Sequence, residues 1–259
     1  MKRNTFLNGW IALVLLFSIL AGACVKTATP PGTASLTIIN AVVGSGDQPL
    51  ITNFDGGNLL YYNYTAQQLP YGSFSVANQF HFYSGALDLA LFHYPDTTVH
   101  DSPVLKVKLD IAAGSIYSLF LTGTLASPDT VFTKDQLVYF PPSDSSAAIR
   151  FANLSPGSAP VSVNIQGQPN GSEVANLPYK GITEFKRYAA TSSVSDPVFE
   201  FRDAATGTLI RRYFTFNFSG PGDFYDPNNW LYRNNTISLI GSPTGTVGDV
   251  QRTFVIPHF

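Results

Sequence analysis

The chain has 259 residues, of which 44% are hydrophobic, 14% aromatic and 12% charged, with a formal net charge of −2. The charged share is about half the ~25% usual in soluble domains, and without a basic excess nucleic acid is excluded as a partner. The single cysteine, Cys24, excludes an intrachain disulfide or a thiolate metal cluster, so stability has to come from core burial.

Lys2 and Arg3 precede the apolar run Ile11–Leu20, which is followed by the small residues Ala21-Gly22-Ala23 and then Cys24. This is the layout of a secretory signal, too short and wrongly flanked for a resident transmembrane helix. Cys24 stands where bacterial lipoproteins carry the acylated residue that becomes the new N-terminus. Ala21-Gly22-Ala23-Cys24 resembles a lipobox of the relaxed Bacteroidetes kind, with the favoured leucine one place early at Leu20. Simple cleavage after Ala23 would leave a free thiol, a liability in an oxidising compartment. The expectation is therefore a signal peptide over 1–23 and a lipidated tether over 24–35. The membrane is then a partner through the acylated Cys24, and the protein sits in the cell envelope, at the outer membrane, on a face left open. Pro30-Pro31-Gly32 keeps the tether out of helix and sheet.

Strands follow at Leu36–Val43, Leu50–Phe54, Leu59–Tyr64, Phe80–Tyr83 and Ala86–Tyr94. The first has almost no polar break, as expected of a strand buried on both faces. Val104–Ile111 alternates cleanly, with Leu105, Val107, Leu109 and Ile111 on one face and Lys106, Lys108 and Asp110 on the other. Ile116–Thr122 and Val131–Phe140 complete a first module over 36–142. Residues 143–146 form a short stiff linker.

A second module over 147–259 reads as strands at Ala148–Asn153, Val161–Gln166, Ile182–Arg187, Val198–Arg202, Leu209–Phe218, Thr236–Ile240 and Thr253–Pro257. In Leu209–Phe218 the alternation places Phe214, Phe216 and Phe218 on one face. No segment carries a capped 3.6-residue stripe, so little helix is expected.

The two modules repeat in order. Ser35–Gly56 matches Ala147–Gly167, with Asn40 against Asn153. Leu69-Pro70-Tyr71 recurs as Leu177-Pro178-Tyr179, and Ile116-Tyr117-Ser118-Leu119 matches Thr236-Ile237-Ser238-Leu239. About seven short strands per module predict an all-β protein of two tandem immunoglobulin-like antiparallel β-sandwiches. Ile149-Arg150-Phe151-Ala152-Asn153-Leu154-Ser155-Pro156 and Val161–Gly167 resemble the opening of a domain-of-unknown-function family found in tandem in Bacteroidetes lipoproteins. The first module keeps Asn40 and the strand-turn-strand frame. The resemblance implies fold and envelope location, and brings no catalytic residues.

There is no phosphate-binding glycine loop, nucleophile elbow or metalloprotease motif, so the chain reads as a non-enzyme without cofactor or metal. His93, Asp96, His100 and Asp101 crowd one loop, and Asp223, Asp226 and Asn228 have calcium-like spacing, but turn chemistry accounts for both groups. Aromatic residues are the candidate ligand contacts: Tyr61, Tyr62 and Tyr64 in the first module, and Phe224, Tyr225, Trp230 and Tyr232 in the polar insertion Ser219–Asn235. The expected function is a non-catalytic envelope lipoprotein presenting two modules to a protein or glycan. The alternative is a structural spacer or assembly subunit.

Overall fold

The computed structural model describes residues 31–54, 56, 67–96, 102–220 and 228–258. Gly32–Phe259 forms one compact unit. The N-terminal signal, Cys24 and Tyr61, Tyr62 and Tyr64 lie outside the described residues, as do Phe224, Tyr225, His100, Asp101, Asp223 and Asp226.

The first half supplies β1 (Thr33–Asn40), β2 (Leu50–Asn53), β3 (Gln68–Leu69), β4 (Gln79–Tyr83), β5 (Gly85–His93), β6 (Leu105–Ile111), β7 (Ile116–Thr124) and β8 (Ser127–Lys134). The second supplies β9 (Ser146–Asn153), β10 (Val161–Ile165), β11 (Val174–Leu177), β12 (Lys186–Ala189), β13 (Val198–Asp203), β14 (Leu209–Phe214), β15 (Asn234–Ile240) and β16 (Arg252–His258). One turn of 3-10 helix, Val76–Asn78, is capped by Ser75.

The sheet orders are β4-β1-β7-β8 and β3-β2-β5-β6 in the first half, and β12-β9-β15-β16 and β11-β10-β13-β14 in the second. Adding eight to every strand of the first half gives the second, so the duplication extends to topology. All-β architecture in two sandwiches agrees with the sequence pattern. The pattern did not anticipate the parallel pairs β1–β7 and β9–β15 at the centre of the inner sheets. It also read seven strands in the second half where the described residues form eight, and in the first half it placed a strand at Leu59–Tyr64, outside the described residues, but none at β3. The strands it missed, β3 and β11, are two and four residues long and end in the repeated Leu-Pro-Tyr turns.

Strand pairing also corrects one alignment. Ser35 lies opposite Ile116, and its equivalent Ala148 lies opposite Asn234. Ser118 therefore corresponds to Thr236 and Leu119 to Ile237, two places from the match the sequence suggested. A slip of two keeps every side chain on its own face, so hydrophobic alternation cannot detect it.

Each sandwich has its own core. Leu36, Ile38, Leu50, Leu89, Leu109, Leu119 and Leu121 fill the first, and Ile149, Phe151, Val161, Val163, Phe199, Phe201 and Ile237 fill the second. A third cluster joins them: Ile39, Ala41 and Phe120 of the first half pack on Ala152, Leu154, Ile240 and Ile256 of the second. The inner sheets thus pack back to back, and the halves share a buried seam. This explains why β9 and β15 are buried along their whole length, with both faces covered.

Three expected strands end differently. The run read as Leu209–Phe218 stops at Phe214. Asn217 turns into left-handed backbone at φ +56°, which leaves Phe216 87% exposed while Phe218 returns to the core. The Asp196 carboxylate holds this turn by accepting from Ser219 N and Oγ at 2.8 and 2.7 Å. Partial desolvation works to raise the Asp196 carboxyl, but the bonds from Ser219, Asn217 and Phe218 outweigh it and hold it below the usual carboxylate range. The run read as Val131–Phe140 is β8, which ends at Lys134 because Asp135 turns into the seam. Ile182 makes only an isolated bridge to Ala152, and the expected strand starts at Lys186.

Candidate functional surfaces

The resemblance motif is used inside the fold. Asn153 ends β9 and donates through Nδ2 to the Leu177 carbonyl at 3.2 Å, while its Oδ1 accepts from Ser155 N. Its counterpart Asn40 ends β1, donates to the Leu69 carbonyl at 2.9 Å and accepts from Val42 N. The repeated asparagine and the repeated Leu-Pro-Tyr are therefore two ends of one hydrogen bond, present in both halves. A short amide is suited to this task, since it can bond locally while reaching a neighbouring strand end. Ser155 is fully buried, and its Oγ donates to the Gly241 carbonyl at 2.6 Å.

Arg150 occupies the position that Thr37 holds in β1, facing the seam. Its Nη1 donates to Asp135 Oδ1 at 2.8 Å, its Nε to Thr236 Oγ1 at 2.7 Å, and its guanidinium lies 4.5 Å from the Phe185 ring centre. Ser118 Oγ donates to Asp135 Oδ2 at 2.6 Å. Thr236 Oγ1 also contacts His258 Nε2 at 2.7 Å, and His258 Nδ1 lies 3.6 Å from Asp135 Oδ2. The tautomer with its hydrogen on Nδ1, toward Asp135, is the one that lets Nε2 accept the Thr236 hydroxyl proton. Burial, aided by the Arg150 charge, lowers the His258 pKa to about 3.

A hydroxyl, an imidazole and a carboxylate in this order resemble a nucleophilic triad. Thr236 has no exposed surface, however, and its oxygen already accepts from a guanidinium, so no substrate carbonyl can reach it. The constellation ties the halves together. Asp135 and His258 are themselves equivalents, at the ends of β8 and β16, as Ser118 and Thr236 are.

At the other end of the seam the same reciprocity holds. Lys180 Nζ of the second half donates to Asp129 Oδ2 of β8 at 2.8 Å. Arg252 of β16, the counterpart of Asp129, donates to the Tyr71 carbonyl at 3.3 Å and lies over the Tyr71 ring. Each half lays its Leu-Pro-Tyr turn on the last strand of the other, as the subunits of a two-fold dimer would.

Two ends remain as surfaces. β1 enters at one of them, where Thr33 pairs with Tyr83 and Asp135 meets His258. The segment from Asp135 to Ser146 runs across it, held by Val138 N to Asn234 Oδ1 and Tyr232 Oη to the Pro142 carbonyl. Beside it opens a cleft of about 490 Å³, lined by Ile165, Tyr188, Val194, Asp196, Pro197 and Phe218. Tyr83 is 64% exposed here, Tyr139 78%, Phe214 65%, Phe216 87% and Tyr232 43%. The opposite end exposes aliphatic residues instead: Val76, Leu209, Val247 and Val250.

Of the ligand contacts expected from sequence, Tyr232 is on the surface at the first end. Trp230 is not. It is 6% exposed, packs against Phe218 and Tyr213 in the second core, and donates through Nε1 to the Phe216 carbonyl. An indole buried on its faces and bonded at its nitrogen cannot stack on a ligand. Alternation and loop length gave no sign that the insertion docks one side chain into the core. Asn228 is equally committed: Nδ2 donates to the Phe218 and Gly220 carbonyls, and Oδ1 accepts from Trp230 N and Leu231 N. Among the described residues no three His, Cys, Asp or Glu side chains gather as a metal would require. Phe214 and Phe216 are contact candidates that the sequence did not single out, because alternation placed them with Phe218 on one face of a longer strand and gave no sign that the strand stops at Phe214.

Fold and seam together define a duplicated, two-sandwich β-protein whose halves are welded by their inner sheets. The chain belongs to the DUF4397 domain-of-unknown-function family, which matches residues 34–164. That span takes in the whole first half, the weaker carrier of the motif, and reaches only β10 of the second. No curated protein matches the chain. Among solved structures, a candidate adhesin from Bacteroides ovatus aligns at 8% identity over 89% of this chain and 97% of its own, with a TM-score of 0.23. Candidate polysaccharide-binding proteins (DUF1812) from Bacteroides thetaiotaomicron align at 9% identity over 88% and 98%, with a TM-score of 0.24.

Proposed function

We propose that the chain is a non-catalytic protein of the bacterial cell envelope, held to the outer membrane by an acylated Cys24, that works by binding a protein or a glycan. On this reading 36–142 and 147–259 are two sandwich domains presented as one body. The observation that supports it is the polarity of the unit. β1 starts at one end, and the loops around residues 41–49, 154–160 and 241–251 stand at the opposite end of the strands. Loops on a rigid scaffold are the usual seat of recognition. Val247, fully exposed, is the foremost apolar residue there.

The test is a screen of the purified protein against polysaccharides and envelope extracts, repeated with Val247→Asp and with Tyr232→Ala. A ligand weakened by Val247→Asp supports the reading. A ligand lost only with Tyr232→Ala moves the site to the tether end. A second reading, a spacer or assembly subunit, is favoured by the buried seam, which makes the two sandwiches a stiff four-layer body. Isolation of a stable envelope complex without a separable ligand would support it.

A further inference from the structure

We infer that the end of the folded unit where β1 enters is a membrane-contacting face, on which exposed aromatic side chains rest in the headgroup region of a lipid bilayer. The inference rests on the proposed acylation of Cys24. It begins from an asymmetry on the surface. Five exposed aromatic residues, Tyr83, Tyr139, Phe214, Phe216 and Tyr232, stand at this end, whereas the exposed large apolar residues of the opposite end are aliphatic among the described residues.

The common location follows from pairing. Tyr83 is opposite Thr33, the first residue of β1. Ser146, the first residue of β9, is opposite Ala189, which lines the cleft, and accepts from Tyr232 N. Phe214 is opposite Val198, which lines the same cleft, and the Phe216 carbonyl accepts from the Trp230 indole two residues before Tyr232. The Asp135–His258 contact brings the starts of both sandwiches to one side.

Nine residue steps separate Cys24 from Thr33. A fully extended chain covers at most about 3.6 Å per residue, so an acylated Cys24 lies within roughly 30 Å of this end. Aromatic rings with one wet edge are the side chains that settle at the membrane–water interface, and a second contact is what turns a lipid tether into a fixed orientation. Phe216, at the tip of a turn held by Asp196, is placed as a wedge. It has no packing role to explain its exposure.

The experiment uses the mature chain from residue 24 onward with Cys24→Ser, which lacks the apolar signal run and cannot be acylated, and vesicles of phosphatidylethanolamine and phosphatidylglycerol. The expected result is co-sedimentation, with partition falling at least ten-fold on Tyr139→Ser, Phe214→Ser and Phe216→Ser together and unchanged by Val247→Ser. The Cys24→Ser chain has no other cysteine, so Phe216→Cys can carry a polarity-sensitive dye at one site. Its emission should shift to the blue on vesicles, and a Val247→Cys label should not respond. Absence of partition by the Cys24→Ser chain overturns the inference, as does a Phe216 label that stays in water. Loss of a glycan or protein ligand in the triple variant without any vesicle effect overturns it in favour of a ligand site. A mass spectrum of the native protein without acyl chains would instead defeat the anchor itself, a separate outcome.

Discussion

Arg150 and Asp135 form an ion pair of 2.8 Å with side chains 4% and 0% exposed, one from each half of the chain. Neither charge can be left alone in that seam. Asp135→Ala or Arg150→Ala should cost about 3–5 kcal/mol, because the remaining charge is stranded without solvent. Replacing both together by well-packed apolar residues should cost far less. Urea denaturation of the two single variants and of Arg150→Met with Asp135→Leu checks this. Single variants as stable as the parent would mean that the seam is wet in solution.

Stability should fall as pH drops from about 6.5 toward 4.5. The folded-state pKa of His258 is lowered to about 3, below the ordinary histidine value, so the unfolded chain binds more protons than the folded one in this window. Stability is therefore full above the unfolded pKa and is lost as pH decreases, by up to ~1.4 kcal/mol per pH unit from this one group. The groups facing His258 are Arg150 and Asp135, with Thr236 between. The paired carboxylates such as Asp129, whose pKa is lowered by Lys180, add their own loss only at lower pH. His258→Gln should flatten the profile between 6.5 and 4.5, as read by thermal unfolding at several pH values.

Asn40→Ala and Asn153→Ala should destabilise by similar amounts, about 1–3 kcal/mol each. Both remove a buried donor from a leucine carbonyl and a buried acceptor from a backbone N–H. Chemical denaturation would reveal the equality. A large difference would show that the two halves use the motif differently.

Trp230→Ala should cost about 3–5 kcal/mol through cavity formation, whatever it does to ligand binding. Phe216→Ala should stay within ±0.5 kcal/mol. Comparing their melting temperatures separates a core aromatic from a surface one.

Gly123 and Gly241 are equivalents at φ +79° and +83°, and an added Cβ would stand 2.4 Å from the Ser127 carbonyl and 2.3 Å from that of Val250. Alanine at either should destabilise by more than 1 kcal/mol, from strain as well as overlap. Thermal unfolding checks it, and an unchanged midpoint would mean that the turn can open.

Several of these features were legible in the chain. Alternation in Val104–Ile111 located β6, since one face meets the core and the other meets water. The recurrence of asparagine and of Leu-Pro-Tyr located the duplication, because the same local bond has to be made twice. Trp230 was read as a candidate ligand contact, and Phe216 only as sharing a strand face with Phe214 and Phe218. Their exposure is set by a turn at Asn217 and by a carboxylate 21 residues earlier, at Asp196, and neither leaves a periodic trace.

By itself the sequence determined the strand-rich composition, the ordered repeat and the apolar runs that had to be buried, because these depend on side chains and their immediate neighbours. Only the tertiary structure decided that the inner sheets meet back to back, that Arg150 finds Asp135 and His258 there, and that exposed aromatics collect where β1 enters. Such pairings join residues from 15 to more than a hundred positions apart, and their partners are selected by packing in three dimensions rather than by spacing along the chain.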